Sequence, residues 1–364
     1  MKSRRRWGVM TDGLPDLRAL AEARDLDGRD VYLSLFGDGE LGSRTLLARR
    51  DAIEAAAGSI DAWDDAQERL EQKLADDGAR GAAVFWHIED GEVAACSLAA
   101  PIEAQAVLDS SPYVRPLARF ADEHAPFLLV FLDGARATIH LVEDAEAERL
   151  ATEGTDLAGR HKKGGWSQMR FQRARQGAMD RFFDDVIEAL EGLVRREGIE
   201  RIALAGPGEA KRRFHGRLSA DLEDLVFTVE DTDDEPALGR MVELAKADEE
   251  AHSDTYVQAL SAGVKRGELV ALGAFDSVRA AAAGAVEVLL VQKGSVAGGA
   301  KREADETYHE AGSAPKDATA VDLIEEAVEH AIRTDAHVEF VEADFLEGHE
   351  GVGAVLRWDV SKPS

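Results

Sequence analysis

The chain has 364 residues, 45% of them hydrophobic, and carries 71 Asp and Glu against 43 Lys and Arg for a formal net charge of −28. Apolar residues recur periodically enough to fill cores, which excludes an acidic disordered chain, and the length predicts two or three domains. Its one cysteine, Cys96, sits in an apolar run, which excludes an internal disulfide and marks it as a buried small hydrophobe.

No apolar run reaches the 18 residues of a membrane span. Met1 to Trp7 has the basic flank of a signal peptide, but Asp12, Asp16 and Arg18 interrupt the apolar region that should come next, so a cytoplasmic protein is expected. An acid surplus this large repels itself unless salt screens it, which fits a halophilic protein adapted to high intracellular salt.

In the first segment, 1–119, residues 30–36 read as a strand stopped by Gly37-Asp38-Gly39. Helical spacing then runs from 45 to 75 through Ile53, Ile60, Trp63 and Leu70, with Asp61 placed to cap a helix after a break at Gly58. Residues 81–88 and 93–98, separated by Glu89-Asp90-Gly91, form a hairpin pattern, and His87 there is expected to satisfy a strand-end hydrogen bond.

In the second segment, 120–235, residues 127–132 have a fully buried strand pattern, Asp133-Gly134 is a tight-turn signal and 137–142 returns as the partner strand. A basic stretch comes next and leads into a long helix over 169–196, with Phe171, Phe182, Phe183, Val186, Leu190 and Leu193 on its apolar side. A βα unit over 201–208, a helix through Phe214 and a strand over 225–229 complete the segment before an acidic linker at 231–236.

The third segment, 236–364, opens with helical spacing over 237–266 and continues in a βαβ rhythm. A buried strand over 285–291, a polar Gly-rich loop over 294–313, an amphipathic helix over 321–332 and strands at 337–341 and 353–358 are expected. The fold class is therefore α/β, in three domains.

The stretch that carries chemistry is Arg160-His161-Lys162-Lys163-Gly164-Gly165-Trp166-Ser167-Gln168, continued by Arg170, Arg173, Arg175 and Arg181. Only Asp180 opposes these cations, leaving a local charge of about +6 inside a strongly acidic chain. Paired glycines let backbone approach a ligand without Cβ clash, and N–H groups at the start of a helix favour negative charge. Cations on both sides suit RNA phosphates better than a small anion; the bland alternative is a Gly hinge on a solvated helix.

Gly206-Pro207-Gly208-Glu209-Ala210-Lys211 lacks the spacing and the hydroxyl of a phosphate loop and reads as a βα turn. Lys211, Arg212, Arg213, His215 and Arg217 form a second basic cluster, either an RNA contact or a solvated helix face. His309, His330, His337 and His349 lack metal-ligand spacing, so neither metal nor cofactor is expected.

The order of elements, the run Arg160 to Gly165 with Ser167, Arg170-Phe171 and Arg173-Ala174-Arg175 after it, and the terminal Gly351, Gly353, Leu356 and Arg357 resemble the archaeal and eukaryotic class I release factors and Pelota. Ala262-Gly263 and the run from Arg279 to Leu290 add to the likeness, which is closest to the Vms-like release factor branch of peptidyl-tRNA hydrolases. The resemblance implies an N-terminal α/β domain over 1–119 and a central RNase H-like catalytic domain over 120–235. It also implies a C-terminal α/β/α domain over 236–364. In that family a Gly-Gly-Gln loop enters the peptidyl-transferase centre of the large ribosomal subunit and hydrolyses the peptidyl-tRNA ester.

Here Trp166 stands where the family Gln would be, and Gln168 comes two positions later. Either Gln168 serves in a shifted loop, or hydrolysis is lost and binding retained. On the first reading Gly164 and Gly165 set the backbone and Gln168 positions water. Arg160, His161, Lys162, Lys163, Trp166, Arg170, Arg173 and Arg175 then bind RNA. Water attacks the ester while a backbone N–H and the Gln amide steady the oxyanion.

The Asn-Ile-Lys-Ser loop of stop-codon readers is absent, and only the short interval 36–44 stands in its place, so rescue of stalled ribosomes or large subunits is expected without decoding. The resemblance implies a translational GTPase or a recycling ATPase as partner of the C-terminal domain, and neither membrane nor DNA. Two rival readings stay open: a non-catalytic Pelota-like rescue factor, and an RNA-cleaving enzyme, for which Asp133 has no evident carboxylate partners.

Overall fold

A computed structural model describes residues 14–25, 29, 31–38, 42–133, 136–143, 146–154, 166–197, 199, 201–223, 225–229, 238–267, 269–302, 304–342 and 344–360. The chain divides into two compact units, one made of Met1–Glu123 with His252–Ser364 and the other of His124–Ala251.

The N-terminal part of the first unit holds α1 (Leu17–Glu22), β1 (Tyr32–Asp38), α2 (Gly42–Ala57), α3 (Trp63–Leu74), β2 (Gly81–His87), β3 (Gly91–Leu98), β4 (Gln105–Asp109) and α4 (Arg115–Glu123). The strands form an antiparallel sheet in the order β3-β2-β1-β4. Strand alternation sends Leu33, Leu35, Ala82 and Val84 to one face, where Trp63, Ala66 and Leu70 of α3 cover them. The expected hairpin is present, and the His87 Nδ1 accepts the Asp90 backbone N–H at 3.1 Å across its end. The helix break after Gly58 is present too, but Asp61 does not cap α3. The cap position is Ala62, without a side-chain hydrogen bond, and Asp64 and Asp65 supply the acidic first turn instead.

The second unit holds β5 (Phe127–Asp133), β6 (Arg136–Glu143), β7 (Glu146–Gly154), α5 (Trp166–Glu197), β8 (Ile202–Ala205), α6 (Gly208–His215), α7 (Ala220–Glu223), β9 (Val226–Thr228) and the first part of α8 (Leu238–Arg266). Its sheet runs β7-β6-β5-β8-β9, with β5, β6 and β7 antiparallel and β5, β8 and β9 parallel. The turn residue Gly134 and the linker 231–236 lie outside the described residues. Phe182, Phe183, Val186, Leu190 and Leu193 of α5 pack with Phe214 against Leu128, Val130, Leu132 and Ile139.

The C-terminal part of the first unit continues with β10 (Val270–Leu272), α9 (Ala274–Ala282), β11 (Val286–Gln292), β12 (Gly298–Arg302), β13 (Thr307–Glu310), β14 (Thr319–Asp322), α10 (Leu323–Arg333), β15 (His337–Val341), α11 (Asp344–Glu347) and β16 (Val352–Leu356). One sheet has the order β10-β16-β11-β15, in which β11 and β15 are parallel. A second has the order β13-β12-β14, so the expected loop over 294–313 contains two strands of a small antiparallel sheet. Gly299 serves packing: a Cβ there would stand 2.5 Å from Leu323 Cγ.

Lys301 and Tyr308 of this small sheet point into a buried network. Lys301 Nζ pairs with Glu326 at 3.1 Å, and the Tyr308 hydroxyl donates to Glu326 at 2.7 Å and lies 2.6 Å from His330 Nε2. Burial holds the His330 imidazole neutral, its pKa pushed down to about 3 with help from Arg333 and Lys301. The amphipathic α10 is also enclosed: Glu325, Glu326, Glu329 and His330 are buried along with Ile324 and Val328. The mixed α/β class expected from the sequence is what the chain adopts.

Candidate nucleic-acid interface

The antiparallel β5-β6-β7 meander ends at Gly154, and α5 starts at Trp166, three residues earlier than the apolar spacing predicts. Residues 166–176 contain Met, Gln, Arg and Ala, and no Gly, Pro or β-branched residue, so nothing opposes helix there. Arg160, His161, Lys162, Lys163, Gly164 and Gly165 lie outside the described residues. Trp166, Gln168, Arg170, Arg173 and Arg175 occupy the first three turns of the 32-residue helix, whose N-terminal end favours anions.

Backbone placement divides these positions. Trp166, Arg170 and Arg173 recur at i, i+4 and i+7, one helix face, and the same line continues through Gly177, Asp180 and Asp184. Gln168 and Arg175 are seven apart and fall on the other side, in line with the core residues Phe182, Val186 and Leu193.

The carboxylates farther along the basic face are held from outside their own helix. Asp180 pairs with Arg213 at 3.5 Å and with Arg217 at 3.6 Å, and Arg217 also donates to Asp184. The Arg213 guanidinium lies 5.9 Å from the Phe183 ring, which meets Phe214 edge-on at 5.5 Å. These pairs are partly exposed and contribute under about 1 kcal/mol each. Their electrostatic consequence is larger than their stability: Asp180 and Asp184 spend their charge on Arg213 and Arg217, leaving the cations of α5 less opposed. The sequence signal was the matched i, i+4 spacing of Asp180 with Asp184 and of Arg213 with Arg217.

The second basic cluster therefore comes apart. Lys211 is buried and donates from Nζ to the Val229 carbonyl at 2.7 Å, Arg213 and Arg217 hold α5, and His215 lies 3.8 Å from Glu223. Gly206, between β8 and α6, has φ +123, and a Cβ there would overlap the Leu132 carbonyl oxygen of β5. The glycine answers to sheet packing, as a βα turn requires.

Residues 112–250 match the model of bacterial archaeo-eukaryotic release factor family 10. Peptide chain release factor subunit 1 of Methanopyrus kandleri is 33% identical over 194 residues, which are 51% of this chain and 47% of the relative. The pelota homolog of the same organism is 29% identical over 249 residues, 65% of this chain and 63% of the relative. These matches indicate a likeness to the archaeal and eukaryotic release factor and Pelota superfamily. The chain spans about half to two thirds of the length of these curated superfamily relatives. The crystal structure of Pelota from Archaeoglobus fulgidus aligns over 95% of this chain and 93% of that one, at 15% identity and a TM-score of 0.29. At that score the likeness to the superfamily rests on the sequence matches alone.

Among the described residues no three His, Cys, Asp or Glu side chains gather as metal ligands, and no helix is long and apolar enough to cross a membrane.

Proposed function

We propose that this release-factor-like chain is a ribosome rescue factor that hydrolyses the peptidyl-tRNA ester on stalled ribosomes or large subunits without reading stop codons. The observation that carries the proposal is the Gly-Gly stretch with its seven nearby Lys and Arg, running into the N-terminus of α5 in a chain of net charge −28. Gly164 and Gly165 let the backbone approach the ester, and the flanking cations bind RNA phosphates. A backbone N–H and the Gln168 amide orient the attacking water and steady the oxyanion. The strand order β7-β6-β5-β8-β9, an antiparallel trio extended by two parallel strands, supports the RNase H-like reading of the central domain over 120–235. The ribosome and peptidyl-tRNA are the proposed partners, with a translational GTPase or recycling ATPase at the C-terminal segment.

A second reading, a Pelota-like factor that binds without hydrolysis, is favoured by one observation. Gln168 is the third residue of α5, on the helix side opposite Trp166, rather than within the glycine stretch. Release of labelled peptide from peptidyl-tRNA on stalled large subunits separates the two. Loss of one oxyanion donor is worth about 2.7–4 kcal/mol, so Gln168→Ala should slow release roughly 100- to 1000-fold while binding persists. Undiminished release in both Gln168→Ala and Gly165→Ala would exclude the proposed chemistry, and tight binding by a wild type that releases nothing would establish the second reading.

A further inference from the structure

Segment 17–123 shares one apolar core with the C-terminal segment. Leu17, Leu20, Phe36, Phe85, Leu117 and Phe120 form a continuous buried cluster with residues of α9, α10, β11 and β15. The face of the N-terminal sheet that α2 and α3 leave uncovered is therefore closed by the C-terminal segment.

At the centre of this contact α4 has no acidic residue in its first turn. Its cap comes from the C-terminal segment: Glu325 Oε1 of α10 accepts the backbone N–H groups of Val114 at 2.9 Å and Arg115 at 3.3 Å. Glu325 Oε2 accepts no hydrogen bond from the described residues but stands 3.5 Å from Arg115 Nε, and Arg115 also pairs with Asp322 at 3.0 Å and donates to the Ser295 carbonyl at 3.1 Å. The exchange is mutual. Asp122 of α4 accepts the Phe340 backbone N–H of edge strand β15 at 3.0 Å, and Ser111 donates to the buried Glu329 at 3.1 Å.

A surface that lends a helix cap in one direction and covers a strand edge in the other fixes register as well as contact. We propose that the N-terminal segment acts as a brace of the C-terminal segment, the two forming one cooperative body latched through α4. In a chain without a decoding loop, this gives residues 17–123 a task that needs no contact with messenger RNA. The proposal does not depend on whether the chain hydrolyses an ester.

Hydrogen exchange on the full chain tests it. Glu325→Ala, a change in the C-terminal segment, should raise exchange at least tenfold in α4 and β4, and Asp122→Ala should do so in β15 and α10. Unchanged exchange across the partner segment in both variants would overturn the proposal. Should either variant fail to fold, Arg18 and Asp335, an exposed pair at 2.9 Å, offer a second route. With Cys96 buried, a short bis-maleimide joining Arg18→Cys to Asp335→Cys should slow exchange in both segments together. Slowing confined to one of them would show two independent bodies.

Discussion

Replacing Lys301 by Met tests whether the small β12-β13-β14 sheet is organised by its buried charge. Lys301 and Glu326 are nearly enclosed, with side-chain exposures of 3% and 8%, and face each other at 3.1 Å. Methionine preserves most of the side chain's length but leaves Glu326 with the Tyr308 hydroxyl as its remaining described donor. Removing one partner of a buried pair costs about 3–5 kcal/mol, because the other charge is left desolvated and uncompensated. For a body of this size that corresponds to a fall in Tm of roughly 6–20 °C. Thermal and urea unfolding at constant salt would measure it. Replacing both partners, Lys301→Met with Glu326→Leu, should recover most of the loss, since no orphaned charge remains. A single substitution costing under about 1 kcal/mol, or a double variant less stable than the single, would refute the argument.

Gly206→Ala should destabilise the second unit by at least ~3 kcal/mol, combining a positive-φ penalty with the overlap on Leu132, as read by urea unfolding. A loss under about 1 kcal/mol would contradict the packing role. Glu325, buried and near Glu329 and Asp322, has its pKa pushed up to about 8 despite Arg115. The native state therefore holds an extra proton between the unfolded value of 4.5 and about 8, and this contribution is full below that window and lost as pH rises through it. Glu325→Gln cannot ionise, so its stability relative to wild type should improve with pH by on the order of 1.4 kcal/mol per unit across the window, whatever its constant offset. His330, whose sign is opposite, cancels in that difference. A flat difference from pH 5 to 8 would exclude the shift. The Cys96 thiol, buried in the sheet and pushed up to about 12 by that burial, should resist thiol reagents in the native state and react on unfolding. Native reaction at the rate of a free thiol would show the site to be open.

Much of the fold was legible because burial and pattern agree. Residues 127–132 are apolar throughout and form the central strand of a sheet covered on both faces, and the hairpin over 81–98 is announced by its turn. The misses have physical reasons. Strand β7 has the sequence Glu-Ala-Glu-Arg-Leu-Ala-Thr-Glu-Gly and lies at a sheet edge, so few of its positions need be apolar. Strands β12 and β13 point Lys301 and Tyr308 inward, toward Glu326 and His330 that arrive more than fifteen residues later. No local pattern carries a partner that distant. In the candidate site the basic residues were legible as composition, but their division between two helix faces required the helix to begin at Trp166. The fate of Lys211, Arg213 and Arg217 required partners on other elements.

That early start makes α5 a lever. Thirteen positions separate Trp166 from Met179, where the described core contacts of the helix begin, a distance of about 20 Å along an α-helix. A tilt of about 5° at Met179 would carry Trp166 through roughly 2 Å, and about 1 Å of misplacement at a reacting group can reduce catalysis a hundredfold. Small residues far from Trp166, wherever they set the seating of Phe182 and Phe183 against β5, thus become determinants of how accurately the first turn of α5 is aimed.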